Sequence, residues 1–278
     1  MSVELLTKLL TAETRPLYVA LSGGIDSLTL MTLAATVRMS PTTAIHAVSA
    51  AVPEEATARN RGLSVEHNWK LIEIDAGEFE SSQYVSNPVN RCYHCKSHLF
   101  DSMLRTIRQG GEDNAVIATG TNTDDLGDFR PGLQAASERD VWQPYTDAGV
   151  DKASIRTIAR QIGLGELSQL PAQPCLSSRI ETGISINIDD LKFVHKVESK
   201  VTSLLGPGDI RCRIVGGGVI VQLPDASVAF RDTVAFEEVE RAIVKLCDNH
   251  ERQLLDIVHY QMGSAFLRGD TRSVDASR

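Results

Sequence analysis

The amino-acid sequence predicts an α/β fold, a parallel sheet with helices on both faces, followed by a smaller α+β module. Three observations carry that prediction. Apolar β-type runs alternate with helix-like segments through the first 165 residues, the order of strand–helix–strand units. The first run stops at Ser22-Gly23-Gly24-Ile25-Asp26-Ser27 and turns into a helix, at the carboxyl end of a strand, where such sheets hold ligands. Beyond residue 187 the order changes to helix, two short strands across Gly216-Gly217-Gly218, helix and strand.

The opening run, MSVELLTKLLTAETRP, reads as a short amphipathic helix with an early Glu. It lacks the basic start and cleavage site of a signal peptide, so a cytoplasmic location is expected. No stretch approaches the roughly 20 apolar residues of a membrane span. Strands are predicted at Leu17–Leu21, Ala44–Ala50, Lys70–Ile74, Ala115–Thr119 and Val141–Pro144. Between them fall helices at Asp26–Val37, Glu54–Glu66, Tyr93–Arg108 and Lys152–Ile162. Residues 166–186, broken by Pro171 and Pro174, form a junction. After it come a helix at Ile188–Leu205, strands at Ile210–Val215 and Val219–Leu223, a helix at Phe236–Cys247 and a strand at Leu254–Tyr260. The polar tail from Arg268 is expected to be disordered. The expected domains are therefore 1–165, the junction 166–186, a small domain 187–267, and the tail 268–278.

Composition narrows the functional classes. Apolar residues at 42% and charged residues at 23% are ordinary for a globular protein with a real core. Five cysteines in 278 residues argue against a disulfide scaffold. A formal net charge of −8 argues against a nucleic-acid partner, whose backbone calls for a basic field.

The loop at 22–27 has the chemistry of a pyrophosphate cradle. Gly23 and Gly24 let the backbone turn sharply and approach an anion, and Asp26 and Ser27 start a helix whose exposed N–H groups attract phosphate. It lacks the Gly-Lys-Ser/Thr ending of a Walker loop and the Gly-x-Gly-x-x-Gly of dinucleotide folds. The pattern SGGxDS resembles the PP-loop of ATP pyrophosphatases, which cut ATP between its α and β phosphates.

Cys92-Tyr93-His94-Cys95 opens a helix, and Cys175 lies in Pro174-Cys175-Leu176-Ser177-Ser178-Arg179. A C-x-x-C pair alone suits part of a zinc site, a redox pair or two inert helix-start cysteines. Three thiolates from distant segments suit an iron–sulfur cluster with one iron left without a protein ligand. Cys212 and Cys247 sit in apolar-periodic segments and read as packing residues. Arg211 and Arg213 alternate along a strand and so emerge on one face.

Taken together, SGGIDS at 22–27, RCYHCK at 91–96, GTNTDDLGDFRPG at 120–132, PCLSSRIETG at 174–183 and the RCR triplet at 211–213 resemble the LarE-type sulfur transferases of nickel-pincer nucleotide cofactor assembly. The resemblance implies an ATP pyrophosphatase domain, a smaller C-terminal domain and a homohexamer. It implies an enzyme that adenylates a carboxylate of a pyridinium dicarboxylate mononucleotide with MgATP and converts it to a thiocarboxylate. On that pattern Ser22, Gly23, Gly24, Asp26 and Ser27 bind ATP phosphates, with Asp26 on Mg²⁺, and Asp128 and Arg130 belong to the ATP site. Arg179, Arg211 and Arg213 clamp the substrate phosphate, with Glu198 nearby. Cys92, Cys95 and Cys175 match the members whose cysteines resemble 4Fe–4S ligands, where an external sulfide is carried; in other members the cysteine matching Cys175 is itself the sulfur donor. The chain departs from the pattern at Gln261, where relatives carry an arginine, and at Ile180-Glu181-Thr182-Gly183. A PP-loop tRNA thiolase is the alternative; a synthetase-type amidase leaves the cysteines without a purpose.

Overall fold

The computed structural model describes residues 2–127, 131–171, 173–224 and 234–260. The chain divides into two compact units, one of residues 1–81 and 90–173, the other of residues 82–89 and 174–278. Among the described residues no helix is long and apolar enough to cross a membrane.

The first unit is built on four parallel strands, β1 (Leu17–Ala20), β2 (Thr42–Ala47), β3 (Lys70–Ile74) and β4 (Val116–Ala118), in the order β3-β2-β1-β4. Every residue of β1 is buried, as expected for a strand covered on both faces. Its side chains alternate between two separate cores. Leu17, Val19, Ala44, Val116 and Ala118 face a cluster with Leu6 and Leu10 of α1 (Ser2–Ala12), Leu28 and Met31 of α2 (Ile25–Val37), and Ile155 and Ile158 of α8 (Lys152–Gln161). Tyr18, Ala20, Ile45 and Ile117 face a cluster with Phe100, Met103 and Ile107 of α5 (Arg91–Gln109) and Ala135 and Ala136 of α6 (Pro131–Ser137). The period-2 alternation of a strand thus distributes the helices to two sides. The remaining helices of this unit are α3 (Glu54–Glu66) and the short α7 (Pro144–Asp147).

The strand expected at Val141–Pro144 is not formed. Trp142 makes one bridge to Ala118, and Pro144 then starts α7. Proline lacks the N–H a ladder needs and suits the first turn of a helix, so pairing stops there.

The order β3-β2-β1-β4 puts a switch point between β1 and β4, where the chain leaves in opposite directions from adjacent strands. Loop 22–24 follows β1, and Thr119-Gly120-Thr121-Asn122 follows β4.

The second unit carries the hairpin of β5 (Arg211–Val215) and β6 (Gly218–Leu223), antiparallel, with β7 (Leu254–His259) parallel to β6. Its core joins Leu191, Phe193, Val194, Val197 and Val201 of α9 (Ile188–Leu205) with Cys212, Ile214, Val219 and Val221, all buried. Val239, Ile243 and Cys247 of α10 (Val234–Asp248) are buried too. The short α4 (Ser82–Val85) belongs to this unit although it lies between two pieces of the first. Tyr84 Oη meets Ser177 Oγ at 2.6 Å, and the buried Asn87 amide donates to the carbonyls of Ile180, Glu181 and Ile184.

Candidate functional site

In the first unit the loop after β1 is knit by its own serines. Ser27 Oγ accepts from Ser22 N–H (3.1 Å), donates to the Gly24 carbonyl (3.0 Å) and lies 3.1 Å from Ser22 Oγ. Gly23 has φ of +82°, and a Cβ there would come 2.9 Å from Ala56 Cβ. Arg59 of α3 donates to the Gly23 carbonyl at 2.6 Å, which fixes the turn from outside. Gly24 caps α2, and the first helical hydrogen bond runs from Leu28 N–H to Gly24. Helix geometry therefore leaves the N–H groups of Ile25, Asp26 and Ser27 without an intrahelical acceptor. These groups and the positive helix end are the chemistry that suits an anion.

Gly120, in the loop after β4, packs against that helix start: a Cβ would lie 2.8 Å from Ser27 N and 2.9 Å from Asp26 C. Tyr145 Oη donates to the Asp26 carbonyl at 3.1 Å. Lys152, the first residue of α8, forms an ion pair with Asp26 through Oδ2, and both side chains are largely covered. Asp26 Oδ1 is buried and has no hydrogen-bond partner among the described residues. Burial raises the Asp26 pKa, with Lys152 opposing the rise. Two acids after β4, Asp124 and Asp125, each accept from a backbone N–H. Asp125 accepts from Asn122 N–H (3.1 Å), and Asp124 accepts from Lys152 N–H (2.9 Å), which holds the start of α8 against this loop.

The structure places Ser22, Gly23, Gly24, Asp26 and Ser27 together in the loop after β1 and the first turn of α2. It adds Lys152, Arg59 and Tyr145, which no local motif marked, and Gly120, the first residue of the GTNTDDLGDFRPG segment. Asp128 and Arg130 lie outside the described residues, as do Gln261 and the tail.

In the second unit Cys175 begins a single 3₁₀ turn, Leu176–Arg179. The Arg179 side chain, 4% exposed, forms a two-point ion pair with Glu198 (2.9 Å each) and donates through Nη1 to the carbonyls of Pro174 (2.7 Å) and Cys175 (3.2 Å). Glu198 also accepts from Cys212 N–H of β5 at 2.9 Å. Arg213 donates to Gln222 (2.6 Å) and to the Ser178 carbonyl (3.1 Å), and Arg211 stacks 5.3 Å from the Tyr260 ring centre. Burial brings the Arg213 pKa down to about 10, and the neighbouring Arg179 adds to the fall. Arg179, Arg213 and Glu198 therefore meet beside the turn that carries Cys175, while Arg211 donates to the Ile210 carbonyl (2.8 Å) and pairs with Asp209 (3.2 Å). The guanidinium of Arg179 is turned toward protein acceptors and steadies the backbone of Cys175.

Cys92 and Cys95 sit one turn apart at the start of α5, both half-buried, so they can share one ligand. They belong to the first unit and Cys175 to the second. Among the described residues no group of three His, Cys, Asp or Glu side chains is set to hold a metal ion. Cys212 and Cys247 are buried, and burial pushes both thiols up.

No family model matches the chain. It is 36% identical over 214 residues to the uncharacterized protein slr1717 of Synechocystis sp., across 76% of this chain and 77% of that one. The chain belongs to the family of slr1717. The uncharacterized protein MJ0830 of Methanocaldococcus jannaschii is 29% identical over 218 residues, across 77% and 79% of the two chains. A more distant relative, 26% identical over 211 residues and across 76% and 75%, is the pyridinium-3,5-bisthiocarboxylic acid mononucleotide synthase of Lactiplantibacillus plantarum. The name of that synthase agrees with the LarE-type resemblance read from the motifs.

Proposed function

We propose that the chain is an ATP-dependent sulfur transferase acting on a pyridinium mononucleotide that carries carboxylates. The observation that carries the reading is the cluster in the second unit, where a cysteine turn is braced by one buried arginine, Arg179, and held by a second, Arg213. A cysteine on a turn whose backbone is held by two arginines suits chemistry between sulfur and an anionic substrate. The cradle after β1 and the name of the distant synthase support it from two other sides.

A carboxylate is a poor electrophile. In the proposed reaction its oxygen attacks the α-phosphorus of ATP, and pyrophosphate leaves to the cradle of Ser22, Gly23, Gly24, Asp26 and Ser27. Sulfide then attacks the acyl carbon of the mixed anhydride, AMP departs, and a thiocarboxylate remains. Arg211 and Arg213 hold the substrate phosphate, a role for which guanidinium is better suited than ammonium. Arg179 and Glu198 keep the Cys175 turn in place. Mg²⁺ fits Asp26, whose Oδ1 is an unbonded hard oxygen at the helix start. A 4Fe–4S cluster on Cys92, Cys95 and Cys175 would supply an open iron for sulfide. A homohexamer is part of the same proposal.

Exchange of labelled pyrophosphate into ATP tests the adenylation. Exchange that depends on the pyridinium dicarboxylate mononucleotide is expected, and its absence with that substrate refutes the reading. Iron and acid-labile sulfide on anaerobically purified protein test the sulfur source. About four of each, lost in Cys92→Ala, are expected. Iron-free protein in which Cys175 loses H₂S on turnover would make Cys175 the sacrificial donor instead.

A further inference from the structure

We propose that Lys152 is an exchangeable counterion of the loop: it holds Asp26 while the cradle is empty and transfers to a phosphate oxygen when the metal–nucleotide takes Asp26. The inference rests on the ATP reading above.

Four observations lead to it. The ammonium of Lys152 pairs with Asp26 Oδ2 across 126 residues, so the contact is a product of the fold rather than of local sequence. The same carboxylate keeps Oδ1 buried without a hydrogen-bond partner, so its coordinating capacity is half used. The lysine backbone is fixed, with its N–H donating to Asp124 and with Asp151 capping α8 through Ser154 N–H at 2.7 Å, while the side chain has freely rotating bonds and is 32% exposed. Among the described residues, two further cationic side chains of this unit are already committed: Arg59 donates to Gly23 and Gln173, and Arg156 donates to the carbonyls of Ser168 and Leu170.

The physical argument concerns charge balance. A carboxylate at the positive end of α2, covered on most sides, is held in place by a compact cation. A divalent cation on Asp26 would repel that ammonium at contact distance, while the phosphates arriving with the metal offer it new acceptors a few ångströms away. A lysine on a flexible stem can make this exchange without moving the backbone.

The test uses Mn²⁺ as a spectroscopically visible metal and α,β-methylene-ATP as a nucleotide that is not cleaved. In Lys152→Gln, Mn²⁺ alone should bind about three- to tenfold more tightly, since its competitor for Asp26 is gone. The Mg²⁺ complex of α,β-methylene-ATP should bind roughly 10- to 100-fold more weakly, the loss of one charge-assisted hydrogen bond. A mere structural strut would weaken both affinities, and that result overturns the proposal. So does unchanged analogue affinity in the variant. A second measurement needs no variant: in wild-type protein the analogue should raise Mn²⁺ affinity at least about tenfold, and independence of the two overturns the exchange. If wild-type protein binds no analogue at all, the ATP reading itself fails and the inference falls with it; if it binds the analogue but lacks the variant's opposite shifts, the reading stands and the role of Lys152 does not.

Discussion

The paired glycines of the loop should respond very unequally to the same substitution. Gly23 has φ of +82°, and a Cβ there would meet Ala56 Cβ at 2.9 Å and Ala56 O at 3.0 Å. Holding an L-residue in the left-handed region costs about 1–2 kcal/mol. Forcing a methyl into filled space costs about 1–3 kcal/mol more. A loss of about 3 kcal/mol is therefore expected for Gly23→Ala. Gly24 has φ of −82° and ψ of 157°, and the nearest atom to a Cβ there is Ser22 Oγ at 3.5 Å. Gly24→Ala should change stability by less than about 1 kcal/mol, because restricting the unfolded chain is offset by the weaker N-cap and the folded backbone is not strained. Both tryptophans, Trp69 and Trp142, belong to the unit that holds the loop, so urea unfolding followed by tryptophan fluorescence reports on that unit. With a slope of about 2 kcal/mol per molar urea, Gly23→Ala should lower the midpoint by about 1.5 M. Its Tm should fall by about 6–12 °C. A Gly23→Ala midpoint equal to that of wild type, or equal to that of Gly24→Ala, would refute the argument that the first glycine is conformational and the second is not.

Three further outcomes follow from buried charges. Glu198→Ala strands Arg179, which is 4% exposed, and should cost about 3–5 kcal/mol, read by hydrogen exchange over residues 188–223; a loss under about 1 kcal/mol would mean that water replaces the carboxylate. Arg213, with Arg179 beside it, should bind inorganic phosphate or a nucleoside monophosphate and raise the Tm of the second unit, an effect absent in Arg213→Ala; an equal rise in both proteins would place the anion elsewhere. The buried His46, which meets the Leu21 carbonyl at 2.7 Å and Thr57 Oγ1 at 2.9 Å, has its pKa lowered by burial, while the Leu21 carbonyl and Glu73 pull it up and Arg61 pushes it down. The unfolded chain therefore binds the proton more readily. The stability this confers is present above the unfolded value of about 6.5 and is lost as pH falls below it toward the folded value. Between pH 7 and 5.5 wild type should lose stability more steeply than His46→Gln, and parallel slopes would contradict this.

Elements were legible where one local rule decided them. Lys70–Ile74, Glu54–Glu66 and Ile188–Leu205 have the bounds their patterns imply, and the unbroken apolar run of β1 signalled a strand covered twice. Val141–Pro144 was misread because the apolar residues before Pro144 pair with β4 for one bridge only, and sequence does not show where a ladder meets a residue without an N–H. The segment 82–89 gave no warning that it packs with the second unit, because the hydrogen bonds of Tyr84 and Asn87 reach partners more than 90 residues away.

The same asymmetry governs the loop. SGGIDS states which groups can meet a phosphate, because a strand, a glycine turn and a helix start are contiguous and their geometry is local. It does not state what holds the carboxylate of Asp26 when no phosphate is there. That answer comes from α8, brought back to the carboxyl end of the sheet by the crossing that follows β4, with Asp124 fastening its first residue. Placing β4 beside β1 juxtaposes the end of one loop with the start of another helix, and a lysine at that start becomes a partner of the cradle. A charge in a cradle built to receive charge must be balanced in both its states. The residue that pairs with Asp26 lies outside the motif, and in this chain it is supplied by the topology.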